Sequence, residues 1–228
     1  MTSRFTQGRR ALIIPVFLCA LWYAGCMPLP REEPLPPTVS PRLLYELGIS
    51  QLASGEYLEA RRSLEQAVAL APRQATYHNA LGFANLHLGR LPQAVEAFRE
   101  ALKLHPDFPD AYNNLGVALA QSGQWAEAIA AFERVLTFQF YNTPELVYQN
   151  MGWAYYNLER YQEAEAALSM ALRFDPTLPL AHYTLGLTWE KHGRLQDAQA
   201  AYRRVLELVP RDSDTGRRAQ DRLQALGR

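Results

Sequence analysis

The chain has 228 residues, 48% of them hydrophobic and 20% charged, and its formal net charge at pH 7 is zero. A nucleic-acid-binding protein usually carries a strongly basic surface, and this balance of charge argues against one. The chain has only two cysteines, which excludes a disulfide-rich scaffold. The fold therefore has to be stabilised by the packing of its apolar residues.

The first segment, residues 1–25, has the features of a secretory signal. Arg4, Arg9 and Arg10 give it a basic start, and it contains no acidic residue. The uncharged apolar run 11–25 has 15 residues, fewer than the ~20 that a membrane-spanning helix needs. Residues 1–25 are therefore predicted to be a signal peptide.

The signal ends in Ala24-Gly25-Cys26, which resembles a bacterial lipobox apart from Tyr23, where leucine is usual. The resemblance implies cleavage before Cys26 and attachment of lipid, including palmitate, to its sulfur. Because a single acyl chain binds membranes only marginally, a stable anchor needs the several chains that a bacterial lipoprotein carries. An uncleaved anchor and an ordinary signal peptide are the alternatives. Cys19 leaves with the signal, so no internal disulfide is expected in the mature chain.

Residues 26–40 are predicted to hold the lipidated cysteine and a proline-rich tether, because five of the fourteen residues 27–40 are proline. Such a segment favours an extended conformation at ~3.1 Å per residue, which would place the following domain up to ~40 Å from the membrane. Met27 rather than aspartate follows the cysteine. By resemblance to Gram-negative sorting rules, this predicts an outer-membrane lipoprotein facing the periplasm. Without the signal, 20 basic and 23 acidic residues remain, so the lipid has to provide the membrane attachment.

Five glycines then recur in a fixed frame, with steps of 34, 34, 36 and 34 residues. An alanine follows each glycine by twelve residues, and a large apolar residue follows that alanine by four. A period of this size is typical of a helical repeat array. The recurring residues are Gly48, Gly82, Gly116, Gly152 and Gly186, then Ala60, Ala94, Ala128, Ala164 and Ala198, then Leu64, Phe98, Phe132, Leu168 and Tyr202.

The succession of glycine, Ala-x-x-x-Phe and a closing proline resembles the tetratricopeptide repeat (TPR). The resemblance predicts an all-α TPR superhelix (an α-solenoid) of five helix pairs, which stack because one pair cannot bury its apolar faces alone. A second glycine ends the first helix of each pair, except in the fourth repeat, where Glu159 stands. Thr143 and Pro144 form an insertion between the third and fourth repeats. The predicted repeats are 41–74, 75–108, 109–142, 145–178 and 179–212.

The last stretch, residues 213–228, is predicted to be a capping helix. Ala219, Leu223 and Leu226 fall on one face of this helix, with charges elsewhere. Terminal units of a solenoid need a polar outer face, because no further repeat covers them.

No catalytic constellation occurs in the sequence. The five histidines form no metal-binding spacing, and there is no glycine-rich phosphate loop. His78 and His182 both occupy position 4 of the repeat frame, which predicts a structural role. The signal, tether, repeats and cap leave no residues for a catalytic domain. The sequence therefore predicts a protein that is not an enzyme and has no catalytic residue, metal or cofactor.

The function is instead expected on the concave face, which the first helix of each pair lines. Frame position 9 is apolar in all five repeats; position 5 is polar or amphipathic, with an amide in three repeats, and Asn114 and Asn150 lie beside it at position 6. An apolar row beside amides suits an extended peptide or an amphipathic helix of a protein partner, because the amides can hydrogen-bond its backbone. Packing between repeats is the alternative explanation. The predicted groove residues are Tyr45, Ile49, Asn79, Phe83, Asn113, Asn114, Val117, Gln149, Asn150, Trp153, Tyr156, Tyr183 and Leu187.

Trp153 and Tyr156 are the strongest candidates in this set. Residues three apart share one face of a helix, and both residue types favour interfaces. Their neighbours Tyr148 and Tyr155 are expected in the core.

The break after the third repeat carries a family resemblance. Residues 138–152 contain Tyr-x-Thr-Pro-Glu followed by Asn-x-Gly, which resembles the type IV pilus biogenesis and stability lipoproteins of the PilF/PilW family. The resemblance covers residues 41 to about 212, although members are described with six TPRs, and five plus a cap are counted here. It implies a pilotin-like outer-membrane lipoprotein that binds secretin subunits and assists their assembly. The alternatives are a general envelope scaffold for peptidoglycan enzymes or outer-membrane assembly machinery, and a noncatalytic subunit of a secreted enzyme complex.

Overall fold

The computed structural model describes residues 40–227, so the predicted signal peptide, Cys26 and nearly all of the tether lie outside the described residues. The described part contains eleven helices and no strand. None of these helices is both long enough and apolar enough to cross a membrane. The helices are α1 (Pro41–Ala53), α2 (Tyr57–Leu70), α3 (Ala75–His87), α4 (Leu91–Leu104), α5 (Pro109–Gln121), α6 (Trp125–Leu136), α7 (Pro144–Asn157), α8 (Tyr161–Phe174), α9 (Pro179–Lys191), α10 (Leu195–Leu208) and α11 (Asp214–Leu226).

The first ten helices pack as five consecutive pairs, each pair stacks on the next, and α11 packs against α10 and α9. This arrangement confirms the predicted all-α TPR superhelix with a capping helix. The pairs are held together by apolar burial, because the alanine and the large residue of each repeat are completely covered. These residues are Ala60, Leu64, Ala94, Phe98, Ala128, Phe132, Ala164, Leu168, Ala198 and Tyr202.

The recurring glycine of each frame makes room for the large residue sixteen positions later. A Cβ atom placed on Gly116 would lie 2.5 Å from Cε1 of Phe132, and one on Gly186 would lie 2.6 Å from Cε1 of Tyr202. Any side chain at these positions would push the two helices of the pair apart. The two residues therefore form one packing unit.

The turns between paired helices share one backbone conformation, including the turn that lacks glycine. Gly123 has a φ of 74° and Glu159 has a φ of 59°. Both amides donate a hydrogen bond of 3.0 Å to the carbonyl three residues earlier. A residue with a Cβ atom adopts this left-handed region at a cost of roughly 1 kcal/mol or more. The fourth turn therefore keeps its shape at the expense of some stability.

The boundary between the third and fourth repeats differs from the sequence prediction. Pro144 is the first residue of α7 rather than part of an insertion, because proline at this position lacks only an N–H that the helix would leave unpaired. In addition, α6 has 12 residues where α4 and α8 each have 14. The extra chain therefore lies in the connection 137–143.

The cap helix α11 closes the C-terminal end of the stack. Its N-cap, Ser213, accepts a hydrogen bond of 3.1 Å from the amide of Gly216. Ala219 is fully buried and Leu223 and Leu226 are partly buried against the last helix pair, as the sequence predicts. Because α11 contacts the two helices before it, as every earlier odd-numbered helix from α3 onward does, it lies where the first helix of a sixth pair would lie.

An ion pair ties α11 to α9. The guanidinium of Arg222 donates two hydrogen bonds, of 2.8 and 2.6 Å, to the carboxylate of Glu190. The hydroxyl of Tyr202 donates a third, of 2.5 Å, to the same carboxylate. The Glu190 side chain is only 9% exposed, so these donors replace the water that it loses.

The N-terminal end is different, because nothing among the described residues covers the outer side of α1. Leu43 and Leu47 are 60% and 49% exposed. Leu115, at the same frame position as Leu47, is only 8% exposed, because the preceding helix pair covers it. Among the described residues, a cap helix therefore covers the C-terminal end of the stack, whereas the outer side of α1 at the N-terminal end is exposed.

Candidate protein-binding groove

The odd-numbered helices form the inner side of the stack. Each odd-numbered helix contacts the next one, whereas within residues 40–227 no two even-numbered helices are in contact. The stack must therefore curve with the odd-numbered helices inside, and we call their exposed surface the concave groove. All thirteen predicted groove residues lie on α1, α3, α5, α7 and α9.

The N-terminal part of the concave groove holds a pocket of about 280 Å³. Tyr45, Ile49, Asn79 and Phe83 line it, which brings together the candidates of the first two repeats. Tyr45 stacks on Tyr77 with ring centroids 4.6 Å apart, and burial raises the pKa of the Tyr45 phenol. A tyrosine phenol is neutral at pH 7 even at its ordinary pKa of about 10, so Tyr45 can donate a hydrogen bond.

The predicted row of amides is partly self-paired. Nδ2 of Asn114 donates a hydrogen bond of 3.1 Å to Oδ1 of Asn79, which links α5 to α3. Oδ1 of Asn113 is buried and has no hydrogen-bond partner among the described residues. Asn79 and Asn114 therefore stabilise the scaffold, and the covered Oδ1 of Asn113 is not accessible to a bound segment.

The aromatic pair on α7 lies in the concave groove. The rings of Trp153 and Tyr156 stack with centroids 5.6 Å apart and an interplanar angle of 17°. Trp153 is 39% exposed, whereas Tyr156 is half-buried and also contacts Tyr161. Burial raises the pKa of the Tyr156 phenol. The adjacent Tyr155 instead turns into the core, so neighbouring residues of one helix divide between packing and surface.

Two pockets flank Trp153. The first, of about 350 Å³, lies where α5, α6 and α7 meet, and its lining includes Val117 and Gln121 of α5, Trp125 and Phe132 of α6, and Asn150 of α7. The second, of about 200 Å³, lies between α7 and α9. Besides Trp153 and Asn150, its lining consists of Gln149, Leu180, Tyr183, Thr184 and Arg218. The indole of Trp153 thus forms a wall between two adjoining cavities.

The predicted residues on α9 have a second role in packing. Tyr183 and Leu187 are half-buried and pack against the cluster that includes Tyr202 and Ala219 of the cap. Burial raises the pKa of the Tyr183 phenol. Glu190, at the frame position that is mostly apolar in the other repeats, is held by Arg222. The C-terminal end of the concave groove is therefore shaped by α11 as well as by α9.

Arg218 is a groove residue that the sequence prediction missed. It lines the pocket between α7 and α9 although it belongs to the cap helix. A signal for it exists in the sequence: counted in the frame of an incomplete sixth repeat, Arg218 falls at position 6, like Asn114 and Asn150. Treating residues 213–228 only as a cap concealed this equivalence.

The histidines at frame position 4 bind backbone. Nε2 of His78 lies 2.8 Å from the carbonyl oxygen of Pro72, and Nε2 of His182 lies 2.9 Å from that of Pro176. Each ring thereby ties the start of an odd-numbered helix to the turn before it, which is a structural role. Within residues 40–227, no group of three or more histidine, cysteine or acidic side chains is arranged to hold a metal ion.

Comparison with known proteins agrees with this architecture. The PilW structure, described as that of a widely conserved type IV pilus biogenesis factor, is 24% identical; the match covers 81% of this chain and 92% of that chain, with a TM-score of 0.68. PilF of Pseudomonas aeruginosa is 18% identical over 82% of this chain and 88% of its own, also with a TM-score of 0.68. At these identities the likeness shows a shared fold.

A third solved structure, MamA from Desulfovibrio magneticus RS-1, is 25% identical over 76% of this chain and 97% of that chain, with a TM-score of 0.68. No curated protein matches the chain. The family profile of the tetratricopeptide repeat matches residues 45–107, 86–142 and 150–213. These ranges span most of the helical stack, and the chain belongs to the tetratricopeptide repeat family.

Proposed function

We propose that this chain is a lipid-anchored scaffold on the periplasmic side of the bacterial outer membrane, and that it assists assembly of the type IV pilus secretin. In this proposal, Cys26 carries the lipid and the concave groove binds a segment of the secretin subunit. The chain supplies binding and positioning rather than chemistry.

The exposure of Trp153 carries the binding part of the proposal. A tryptophan that served only to pack repeats together would be covered by them, as Tyr155 is. Trp153 instead remains 39% exposed between two pockets. Aromatic side chains that are exposed in the free protein and become buried against a partner are the residues that most often dominate binding energy at protein interfaces.

Three features support the biological assignment. The fold is similar to that of PilW, a type IV pilus biogenesis factor, and to that of PilF. The sequence between the third and fourth repeats resembles the same family, and Ala24-Gly25-Cys26 resembles a lipobox. Secretin binding is the role that this resemblance implies.

Photo-crosslinking in living cells tests the partner. A photoreactive amino acid replaces Trp153 in one strain and Gln162, an exposed residue of α8, in a matched control strain. We expect an antibody against the secretin to detect a crosslinked product from position 153 and none from position 162. Crosslinks to peptidoglycan enzymes or outer-membrane assembly proteins instead of the secretin would contradict the assignment.

Alanine substitutions separate binding from folding. The double substitution Trp153→Ala, Tyr156→Ala should reduce secretin capture by a factor that corresponds to roughly 2 kcal/mol or more, with little change in thermal midpoint. Tyr155→Ala, the matched control, should instead cost about 3 kcal/mol of folding stability, because it leaves a cavity in the core. Equal thermal losses for the two variants, or full binding by the double variant, would rule out the groove as the binding surface.

The lipid anchor has its own test. Cys26→Ser should give a folded protein that is released from the outer membrane, because the helical stack does not include residue 26. Labelling with radioactive palmitate should mark the wild type and leave the variant unlabelled. A wild type without label would refute the lipoprotein part of the proposal.

A further inference from the structure

A segment that fills both pockets beside Trp153 has to cross the indole. The two pockets share Trp153 and Asn150 and lie on opposite sides of α7. Packed helices lie about 8–10 Å apart, a distance that about three residues of extended chain cover at about 3.3 Å per residue. The geometry therefore suits two apolar side chains three residues apart, one on each side of the indole.

The concave groove changes from uncharged to charged residues immediately beyond the second pocket. In α3, α5, α7 and α9, frame positions 5, 6 and 9 carry no charged residue. At the same frame positions α11 carries Arg217, Arg218 and Asp221, and Arg218 is the one of the three that lines the second pocket. A bound segment that leaves this pocket towards the C-terminal end thus meets an arginine directly after an uncharged surface.

The positive charge of this arginine is incompletely balanced. Asp214 lies 2.9 Å from Arg218 and 3.7 Å from Arg217, so that two guanidinium groups share one carboxylate. Asp214 is also the single acid paired with Arg218 among the described residues. The third arginine, Arg222, is already bound by Glu190. The Arg218 side chain is 60% exposed and retains N–H donors for a second carboxylate.

We infer that the partner segment carries an aspartate or glutamate next to its second apolar residue, and that Arg218 binds this carboxylate. The inference rests on the proposed peptide-binding function of the groove and specifies the chemistry of the segment: apolar, two further residues, apolar, acidic. The surface formed by the odd-numbered helices continues past the second pocket onto α11. A bound segment can therefore extend beyond this pocket, and we assign the carboxylate to a side chain rather than to the chain end. A guanidinium group suits it because it can donate two parallel hydrogen bonds to one carboxylate.

A peptide array tests the inference on the full lipidated chain in detergent. The peptides are blocked at both ends and contain apolar-Ser-Ser-apolar-Asp, in which the apolar positions vary over Leu, Met, Phe and Trp. Matched arrays replace Asp by Asn, or omit it and leave a free carboxyl terminus. We expect the best Asp peptide to bind the wild type about tenfold more tightly than its Asn counterpart, which corresponds to about 1.4 kcal/mol.

Substitutions assign this preference to one residue. Arg218→Gln should reduce the Asp-to-Asn ratio to about one, whereas Arg204→Gln should leave it unchanged, because Arg204 lies on α10 and pairs with Glu207. Arg218→Glu should instead favour peptides with Lys in place of Asp. This reversal cannot arise from loss of folding.

The outcomes distinguish the inference from the proposed function. Equal binding of Asp and Asn peptides, or an unchanged ratio in Arg218→Gln, overturns the inference and leaves the groove as a binding site. A preference for the free carboxyl terminus also overturns it, because the carboxylate would then come from the chain end. If no peptide of any array binds the wild type, the peptide-binding groove fails together with the inference.

Discussion

The two ends of the helical stack present opposite surfaces. At the C-terminal end, α11 covers the last pair with Ala219, and Arg222 neutralises the buried Glu190. At the N-terminal end, Leu43 and Leu47 occupy frame positions that are buried or half-buried in later repeats, yet they are exposed here. The same repeat frame thus yields a core residue or a surface residue according to whether another helix pair precedes it.

This difference shows where stability resides in such a stack. In a solenoid, each repeat contacts only its neighbours, so stability is approximately a sum of repeat terms and interface terms. A terminal pair has one interface fewer. The cap replaces the missing interface at one end, and the described residues contain no equivalent at the other.

The largest expected effect on stability comes from comparing two leucines at the same frame position, Leu115 within the stack and Leu47 at its N-terminal end. Leu115→Ala, within the stack, should lower the free energy of unfolding by about 2–5 kcal/mol, because it leaves a cavity in a buried core. Leu47→Ala removes the same atoms at the exposed end and should cost less than about 1 kcal/mol, because little apolar area is uncovered. Urea unfolding of both variants measures the difference. Equal losses would mean that α1 is covered in solution by something outside residues 40–227.

The ion pair of the cap should have an intermediate effect. Arg222→Ala leaves the Glu190 carboxylate buried with only the Tyr202 hydroxyl, and should cost about 2 kcal/mol. This is less than the 3–5 kcal/mol of a fully buried pair, because the Arg222 side chain is 43% exposed.

The matched control is Arg204→Ala, which breaks an exposed pair on α10 and should cost less than about 0.5 kcal/mol. Hydrogen exchange should locate the loss of protection for Arg222→Ala in α9 and α11. Faster exchange in α1 and α2 instead would contradict the role of this pair as the closure of the C-terminal end.

The smallest expected effect is a gain in stability near the capped end. Glu159→Gly relieves the left-handed backbone of the fourth turn and should raise the free energy of unfolding by about 0.5–1 kcal/mol, net of the greater freedom of glycine in the unfolded chain. Gly123→Ala is the reverse control: its Cβ would meet no atom within 4 Å, so any loss reports backbone strain alone. A loss on Glu159→Gly would show that its side chain contributes more than its backbone conformation costs.

Much of the fold was predictable because the contacts that define it are local in sequence. The helices of a pair follow each other directly, and the glycine at Gly116 and the ring of Phe132 meet within one repeat. Sequence periodicity therefore suffices to predict the pairs and their stacking. The error at Pro144 has the same origin, because a frame counted by period cannot say whether an added residue lengthens a helix or a loop.

The candidate site was less predictable, because its exposure depends on neighbours. Trp153 and Ile49 are each 39% exposed, whereas Phe83, Val117 and Leu187 at the same frame position are half-buried. The period assigns all five to one face. Only the packed structure decides which of them the adjacent repeats cover.

By itself, the sequence determined an all-α stack of five TPR pairs, the positions of their turns and the residues that face the inner side, because each follows from a short repeating pattern. The tertiary structure alone decided that Arg218 joins the second pocket and that Arg222 closes on Glu190, 32 residues away. These contacts lie at the end of the stack, where the repeat is interrupted. A side chain there takes its role from the helices it meets, which no periodic frame specifies.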